Sequence, residues 1–108
     1  MEKFANYDEL VSQVKQISDL VYSYKIGITG MSLEGRLSNY AGEYSDILDI
    51  AWSPKDETIR EWEKALIDRF HSDPKCDNDP DAGGTGDLKL SNRYTLYVVI
   101  QTNEPSVY

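Results

Sequence analysis

The apolar positions of the chain recur at two spacings, one typical of helices and one typical of strands. Near the N-terminus they are three and four residues apart and predict an amphipathic helix. Its apolar positions are Tyr7, Leu10, Val11, Val14, Ile17 and Val21. Asn6 followed by Glu9 resembles a capping box at its start. Ser32 is the predicted cap of a second, short helix, which Ala41 and Gly42 close. Leu33, Arg36, Leu37 and Tyr40 share one face of it.

A third helix is predicted up to about Phe70. Ser53 is its expected N-cap, with Pro54 at the first helical position and Asp56 in the first turn, where acids suit the helix dipole. Its apolar stripe consists of Ile59, Trp62, Leu66, Ile67 and Phe70. Glu63 falls within this stripe.

Three other stretches are typical of strands. They are residues 24–29, which Gly30 ends, residues 46–52, and residues 93–101, which form the clearest strand of the chain. A polar stretch, residues 71–91, precedes the last strand and exceeds the usual length of a loop. This element order predicts an α+β domain with a small three-stranded antiparallel sheet flanked by about three helices.

The composition is that of one globular domain. With 108 residues, 40% of them hydrophobic, the chain has material for one modest core, so we predict a single domain over residues 1–108. No run reaches the roughly 20 apolar residues that span a bilayer, and the first residues lack a secretory signal, which indicates no membrane partner and a cytoplasmic or nuclear protein that is not secreted. The single cysteine, Cys76, fits a reducing compartment.

The charge balance bears on partners. The net charge is −8, from 19 acidic and 11 basic residues. This argues against binding nucleic acid through a broad basic surface, but it is compatible with a local basic cleft. An acidic chain can also bind cations, or it can imitate nucleic acid and bind a basic protein partner.

Two charged residues, Arg36 and Glu63, lie on apolar helix faces. A carboxylate that faces a core is costly unless it is paired, hydrogen-bonded or bound to a metal. In one interpretation the two residues form a structural ion pair, or each reaches water from the rim. In the other they form a phosphodiester site, in which the carboxylate holds a divalent cation and the guanidinium neutralises phosphate charge. Spacing alone does not separate these interpretations.

Four short segments follow one another between residues 24 and 78. Residues 25–29 read Lys-Ile-Gly-Ile-Thr, residues 35–40 Gly-Arg-Leu-Ser-Asn-Tyr, residues 63–67 Glu-Lys-Ala-Leu-Ile and residues 74–78 Pro-Lys-Cys-Asp-Asn. In this order they resemble the second signature strand, the arginine helix, the glutamate helix and the asparagine segment of the GIY-YIG nuclease superfamily, in particular its viral and phage members. The resemblance implies a GIY-YIG-like fold.

The resemblance also implies metal-dependent hydrolysis of DNA phosphodiesters. Glu63 would bind one Mg²⁺ or Mn²⁺ ion, Arg36 would stabilise the phosphate, and Asn78 would support the site. The other residues that it assigns are Tyr24 and Lys25 as catalytic candidates lining the groove, and Gly27 and Tyr40, together with Asn78, as substrate-binding candidates.

The family's first signature, a Gly-Ile-Tyr strand whose tyrosine is the proposed general base, is missing from its usual place. Residues 18–23, which precede the second signature, complete a helix instead. Lys25 stands where the second signature usually has its tyrosine, unless Tyr24 takes that role. In a circular rearrangement, the C-terminal strand would occupy the vacant edge beside the strand of residues 24–29 and supply Tyr97 or Tyr94 as the catalytic phenol. In the alternative interpretation, these tyrosines serve packing.

Three functions therefore stay open: a metal-dependent endonuclease, an inactive GIY-YIG-like protein that binds DNA or a protein, and an unrelated α+β interaction domain. Other features are weaker. Residues 77–81 faintly resemble the start of a calcium loop, and residues 83–86 form a glycine-rich stretch without the context of a phosphate-binding loop. His71 is the only histidine, which excludes a multi-histidine metal site; we expect it at a helix end.

Overall fold

The computed structural model describes residues 6–79, 88 and 90–102 of the chain. In this part the predicted fold class is confirmed, because three helices flank a three-stranded antiparallel sheet. The helices are α1 (Tyr7–Leu20), α2 (Leu33–Ser38) and α3 (Asp56–Phe70), and the strands are β1 (Ser23–Thr29), β2 (Asp46–Ser53) and β3 (Tyr94–Gln101).

The C-terminal strand β3 lies beside β1, as predicted, but at the centre of the sheet and not at its edge, because β2 pairs with its other side in the order β1-β3-β2. Both neighbours pair with it in antiparallel register, so that Tyr97 lies opposite Gly27 on one side and opposite Asp49 on the other. Seven of its eight residues are buried, as expected of an apolar strand covered on both faces. The register with β2 shifts at Asp49 and Ala51, where the strand has an irregularity.

The two faces of the sheet have different surroundings, because side chains alternate along each strand. The main-core face packs against α1 and α3, and it carries Tyr24, Ile26 and Ile28 of β1 and Leu96, Val98 and Ile100 of β3. The opposite face, which we call the site face, carries Lys25 and Gly27 of β1 beside Tyr97 and Val99 of β3. Burial of one Leu or Ile side chain contributes about 1.5–3 kcal/mol, so the apolar side chains of this face stabilise the fold.

The starts of the helices agree with the sequence for α1 and α2 but not for α3. Asn6 accepts a hydrogen bond from the Glu9 amide (2.8 Å), and Ser32 accepts one from the Gly35 amide (3.2 Å), as expected of N-caps. The predicted cap Ser53 is wrong, because this residue stays paired with Tyr94 as the last residue of β2. Helix α3 begins two residues later, after Lys55, which forms no side-chain cap.

The polar stretch after α3 begins with a turn and then follows the outer edge of β1. The Tyr24 amide donates to the Lys75 carbonyl (2.9 Å), and the Asp77 amide donates to the Tyr24 carbonyl (2.8 Å). Cys76 thereby forms an isolated parallel bridge with Tyr24. Part of the predicted loop therefore covers an edge that would otherwise expose unpaired backbone groups.

The glycine-rich stretch at residues 83–86, the end of the calcium-like stretch at residues 80–81 and the tail at residues 103–108 lie outside the described residues. His71 follows directly on α3, at its C-cap, as expected. Within the described ranges, no helix has the length and apolarity that a membrane crossing requires.

Candidate functional site

Tyr97 stands at the centre of the site face and is fully buried. Its hydroxyl oxygen accepts a hydrogen bond from Nε of Arg36 (2.9 Å), and it lies 2.6 Å from the hydroxyl oxygen of Tyr40. The arginine helix and the C-terminal strand, which are about 60 residues apart in sequence, thus converge on one phenol. Of the two tyrosines offered as the replacement phenol, the structure brings Tyr97 to Arg36.

Gly27 makes room for the Tyr97 ring. A Cβ atom at Gly27 would lie 2.9 Å from Cε1 of Tyr97 and closer still to its Cζ and hydroxyl oxygen. A glycine inside a strand often marks such a close approach. The phenol therefore leans across β1 from the central strand and occupies the space that a side chain at Gly27 would fill.

Arg36 is half-buried, and its contacts are with phenols. In addition to the Tyr97 hydrogen bond, its Cζ lies 5.6 Å from the centroid of the Tyr40 ring and 5.9 Å from that of the Tyr97 ring. No ion pair joins Arg36 to Glu63, so the structure does not form the bridge considered from the sequence. The guanidinium keeps its positive charge without a carboxylate partner among residues 6–79, 88 and 90–102.

Burial raises the pKa of Tyr97 well above its ordinary value. The hydrogen bond with Tyr40 acts in the same direction, and the Arg36 guanidinium lowers the pKa only in part. Burial disfavours the charged phenolate, whereas a neighbouring cation favours it. In the conformation seen here, Tyr97 is consequently a neutral phenol at physiological pH.

Lys25 and Tyr44 complete the cluster. The Lys25 Nζ atom lies 5.9 Å from the centroid of the Tyr40 ring, within the range of a cation-π contact. Tyr44 meets Tyr40 edge-on, with ring centroids 5.2 Å apart, and its hydroxyl donates to Oδ2 of Asp77 (2.8 Å). The Tyr44 contacts were not predicted. Tyr44 lies between α2 and β2, in neither a helix nor a strand, so no periodicity in the sequence indicates them.

Asn78 is buried and lies on the outer edge of β1. Its Oδ1 atom accepts from the Ile26 amide (2.8 Å), and its Nδ2 atom donates to the Ile26 carbonyl (2.9 Å). The side-chain amide thereby satisfies both backbone groups of Ile26, as the backbone of a neighbouring strand would. This arrangement supports β1 next to Lys25 and Gly27, and it places Asn78 against backbone rather than against Arg36.

Glu63 is buried in the apolar stripe of α3, with 7% of its surface exposed. Helix α3 packs on the main-core face, whereas the hydrogen bond between Arg36 and Tyr97 lies on the site face. In the described part of the chain, no group of three or more His, Cys, Asp and Glu side chains is arranged to hold a metal. A single carboxylate suits Mg²⁺, which often takes one or two carboxylates and completes its shell with water and phosphate oxygens.

Tyr24 and Tyr94 both lie on the main-core face and not in the groove. Tyr24 is fully buried, and its hydroxyl donates to Oδ2 of Asp73 (2.8 Å). Its placement beside Lys25 as a groove-lining residue is therefore wrong, because consecutive strand residues point to opposite faces. The Tyr94 hydroxyl accepts from the Ser91 amide (3.1 Å), so Tyr94 does not supply the phenol at Arg36.

Asp73 joins α1, β1 and the turn after α3. It accepts hydrogen bonds from Tyr24, from the Ser18 hydroxyl (2.8 Å) and from the Lys75 amide (3.0 Å). Burial raises the pKa of Asp73, but the hydrogen bonds from Lys75, Tyr24 and Ser18 outweigh this effect, and the pKa lies below its ordinary value. These bonds therefore favour the carboxylate form.

Asp73 should make stability depend on pH in acid. Because its pKa is lower in the folded chain, its contribution is fully present above the unfolded value of about 3.9 and is lost as the pH falls through the folded value. Urea unfolding at a series of acidic pH values should therefore show a smaller loss of unfolding free energy for Asp73→Asn than for wild type. Asp68→Asn, exposed on α3, is the control. An equal loss in wild type and Asp73→Asn would contradict the assignment.

An open cavity of about 390 Å³ adjoins Arg36 at the end of β1. Its lining includes Thr29 and Gly30 of the strand end and Arg36 and Asn39 of the helix side. A ligand in this cavity would reach the guanidinium without crossing the core.

No protein-family model, curated protein or solved structure matches the chain.

Proposed function

We propose that the chain is a metal-dependent endonuclease of the GIY-YIG type, in which the C-terminal strand has taken the place of the missing first signature. The observation that carries the proposal is the hydrogen bond from Arg36 to the Tyr97 hydroxyl, above Gly27. This hydrogen bond supports the circular rearrangement, because it joins a tyrosine of the C-terminal strand to Arg36, the arginine that the resemblance assigns to the site.

Each residue has a separate chemical task in this proposal. Arg36 binds the scissile phosphate, because its planar guanidinium matches two phosphate oxygens and keeps its charge at all relevant pH values. Tyr97, after losing its own proton to solvent, takes as a phenolate the proton of the attacking water. Lys25 adds a second positive charge on the same face of the sheet. Asn78 supports β1 through its two hydrogen bonds with the backbone of Ile26.

Glu63 would hold the Mg²⁺ or Mn²⁺ ion, which, when bound, would neutralise charge that develops on the phosphate oxygens. The carboxylate is of the right chemical type for this hard cation. Helix α3 packs on the main-core face, whereas Arg36 meets Tyr97 on the site face, so the metal-binding role of Glu63 rests on the resemblance and not on its position beside Arg36.

The net negative charge of the chain restricts where DNA would bind. A net charge of −8 disfavours a long duplex footprint. Lys25 and Arg36 form a local positive patch, and the cavity beside Arg36 gives a phosphodiester access to it. We place this activity in the cytoplasm or nucleus, where the free thiol of Cys76 stays reduced.

Plasmid nicking tests the proposal. Wild type should nick supercoiled DNA in Mg²⁺ or Mn²⁺ and stop when EDTA is added. Tyr97→Phe should nick at least about 100-fold more slowly, since general-base catalysis contributes 10²–10⁴-fold. Tyr22→Phe, at a half-exposed tyrosine, is the matched control and should nick as wild type does. No nicking by wild type, or equal nicking by Tyr97→Phe, would sink the proposal.

A second function is favoured by the enclosure of Tyr97. A fully buried phenol with a raised pKa is a poor base at neutral pH. We propose as the alternative an inactive GIY-YIG-like protein that binds DNA or a protein through Lys25 and Arg36. Binding of a labelled oligonucleotide that weakens on replacement of Arg36, without nicking under any metal condition, would separate this alternative from the enzyme.

A further inference from the structure

The two cations of the site face share one neutral partner. Lys25 and Arg36 both lie against the Tyr40 ring, at 5.9 and 5.6 Å from its centroid. Within the described residues the ion pairs join Arg60 to Asp56 and Arg93 to Asp49, so neither site cation is neutralised by a carboxylate. In a chain with 19 acidic residues, two cations whose partner is a neutral ring keep their charge available to an external anion.

Tyr40 also shields Tyr97. The two hydroxyl oxygens are 2.6 Å apart, the rings meet edge-on at 6.4 Å, and no part of the Tyr97 side chain is exposed. The same ring therefore covers the cations and the phenol. A ligand that needs Arg36 and Tyr97 together has to move Tyr40 first.

The position of Tyr40 allows such a movement. It lies just beyond the end of α2, where its amide donates to the Leu37 carbonyl (3.1 Å), and the next two residues, Ala41 and Gly42, have φ values of 52° and 84°. A left-handed alanine is an uncommon conformation. Tyr44 packs on Tyr40 and is tied to Asp77, so its ring supports the closed position. Rotation of the Tyr40 side chain changes neither a helix nor a strand pairing.

We propose that Tyr40 is an autoinhibitory gate, which occupies the anion space between Lys25 and Arg36 and covers Tyr97 until a phosphodiester displaces it. A phosphate offers these cations a full negative charge and several acceptor oxygens, which is a stronger interaction than the quadrupole of a ring. The identity of the displacing ligand rests on the proposed function. The closure over Tyr97 is independent of the proposed function, because it follows from the contacts of Tyr40 alone.

Nitration by tetranitromethane, followed by mass spectrometry of the peptides, tests the closure. In wild type, Tyr97 should react far more slowly than Tyr22, which is 46% exposed. Tyr40→Ala should raise the rate at Tyr97 by about tenfold, as expected when a minor open state becomes the main one. Tyr40→Phe, which keeps the ring against the cations but removes the hydroxyl, should raise it less.

Tyr94 serves as the internal control, because it is buried in the main core. A selective rise at Tyr97 supports the gate. A parallel rise at Tyr94, which shows general opening, overturns it, as does an unchanged rate at Tyr97 or a wild-type rate at Tyr97 equal to that at Tyr22.

The binding of a short oligothymidylate in EDTA tests the ligand. Tyr40→Ala should bind it about tenfold more tightly than wild type, because a ligand that selects a minor open state loses affinity by the fraction that is closed. Tyr22→Ala is the control and should bind as wild type does. Weaker binding by Tyr40→Ala, or no binding by either protein, would overturn the displacement by nucleic acid. A selective exposure of Tyr97 would still stand in that case, so the gate and the proposed function fail independently.

Discussion

Replacement of Gly27 by alanine should destabilise the fold by about 1–3 kcal/mol, the usual cost of forcing an added group into a packed site. The new methyl group would collide with the ring and the hydroxyl oxygen of Tyr97. The ring has little room to retreat, since Tyr97 is fully buried and its hydroxyl contacts Arg36 and Tyr40. The midpoint of urea unfolding, with the slope of the transition held constant, measures the effect.

A double-mutant cycle identifies the cause. In a Tyr97→Leu background the obstructing phenol is gone, so the further change of Gly27 to alanine should cost much less than it does in wild type. Each variant is compared with its own parent, which removes the cost of the Tyr97 change itself. If Gly27→Ala costs the same in both backgrounds, the close approach of Tyr97 is not what requires a glycine in β1.

Arg36→Lys should lower nicking by about 10²–10³-fold, the usual effect of losing one donor that stabilises the transition state. Lysine keeps the positive charge but lacks the planar fork that binds two phosphate oxygens, and it lacks the Nε–H that Tyr97 accepts. Affinity for DNA should change little, since the charge is kept. Initial rates and binding constants for the same plasmid separate the two quantities.

Arg69→Lys is the matched control, because Arg69 is exposed in the last turn of α3, away from the site face. It should nick and bind as wild type does. A loss of affinity in Arg36→Lys equal to the loss of rate would assign Arg36 to ground-state binding alone. An unchanged rate would remove it from the catalytic machinery.

Much of the local structure was predictable because it depends on near neighbours in the chain. The spacing of Leu10, Val14 and Ile17 predicted α1, and the β-branched and aromatic run of residues 94–100 predicted β3. The caps at Asn6 and Ser32 follow from short-range hydrogen bonds. The start of α3 was not predictable in this way, since pairing of Ser53 with Tyr94 in the sheet outweighed the local preference of serine for an N-cap.

The candidate site was only partly predictable. Helical spacing predicted Arg36 and Tyr40 on one face, although α2 ends at Ser38 and Tyr40 lies just beyond it. Alternation alone places Lys25 and Gly27 on one face of β1 and Tyr24 on the other. The groove role given to Tyr24 overlooked this alternation. The considered pairing of Glu63 with Arg36 could not be judged from the sequence, because it depends on which face of the sheet each helix covers.

The sequence by itself determined which helices and strands form and in what order, because these follow from apolar periods of 3.6 and 2 residues. Only the tertiary structure decided that β3 enters between β1 and β2, so that Tyr97 lies opposite Gly27 and within hydrogen-bonding distance of Arg36. Strand order and register depend on pairing between segments that are distant in the chain, and local periodicity carries no information about which partner a strand will choose.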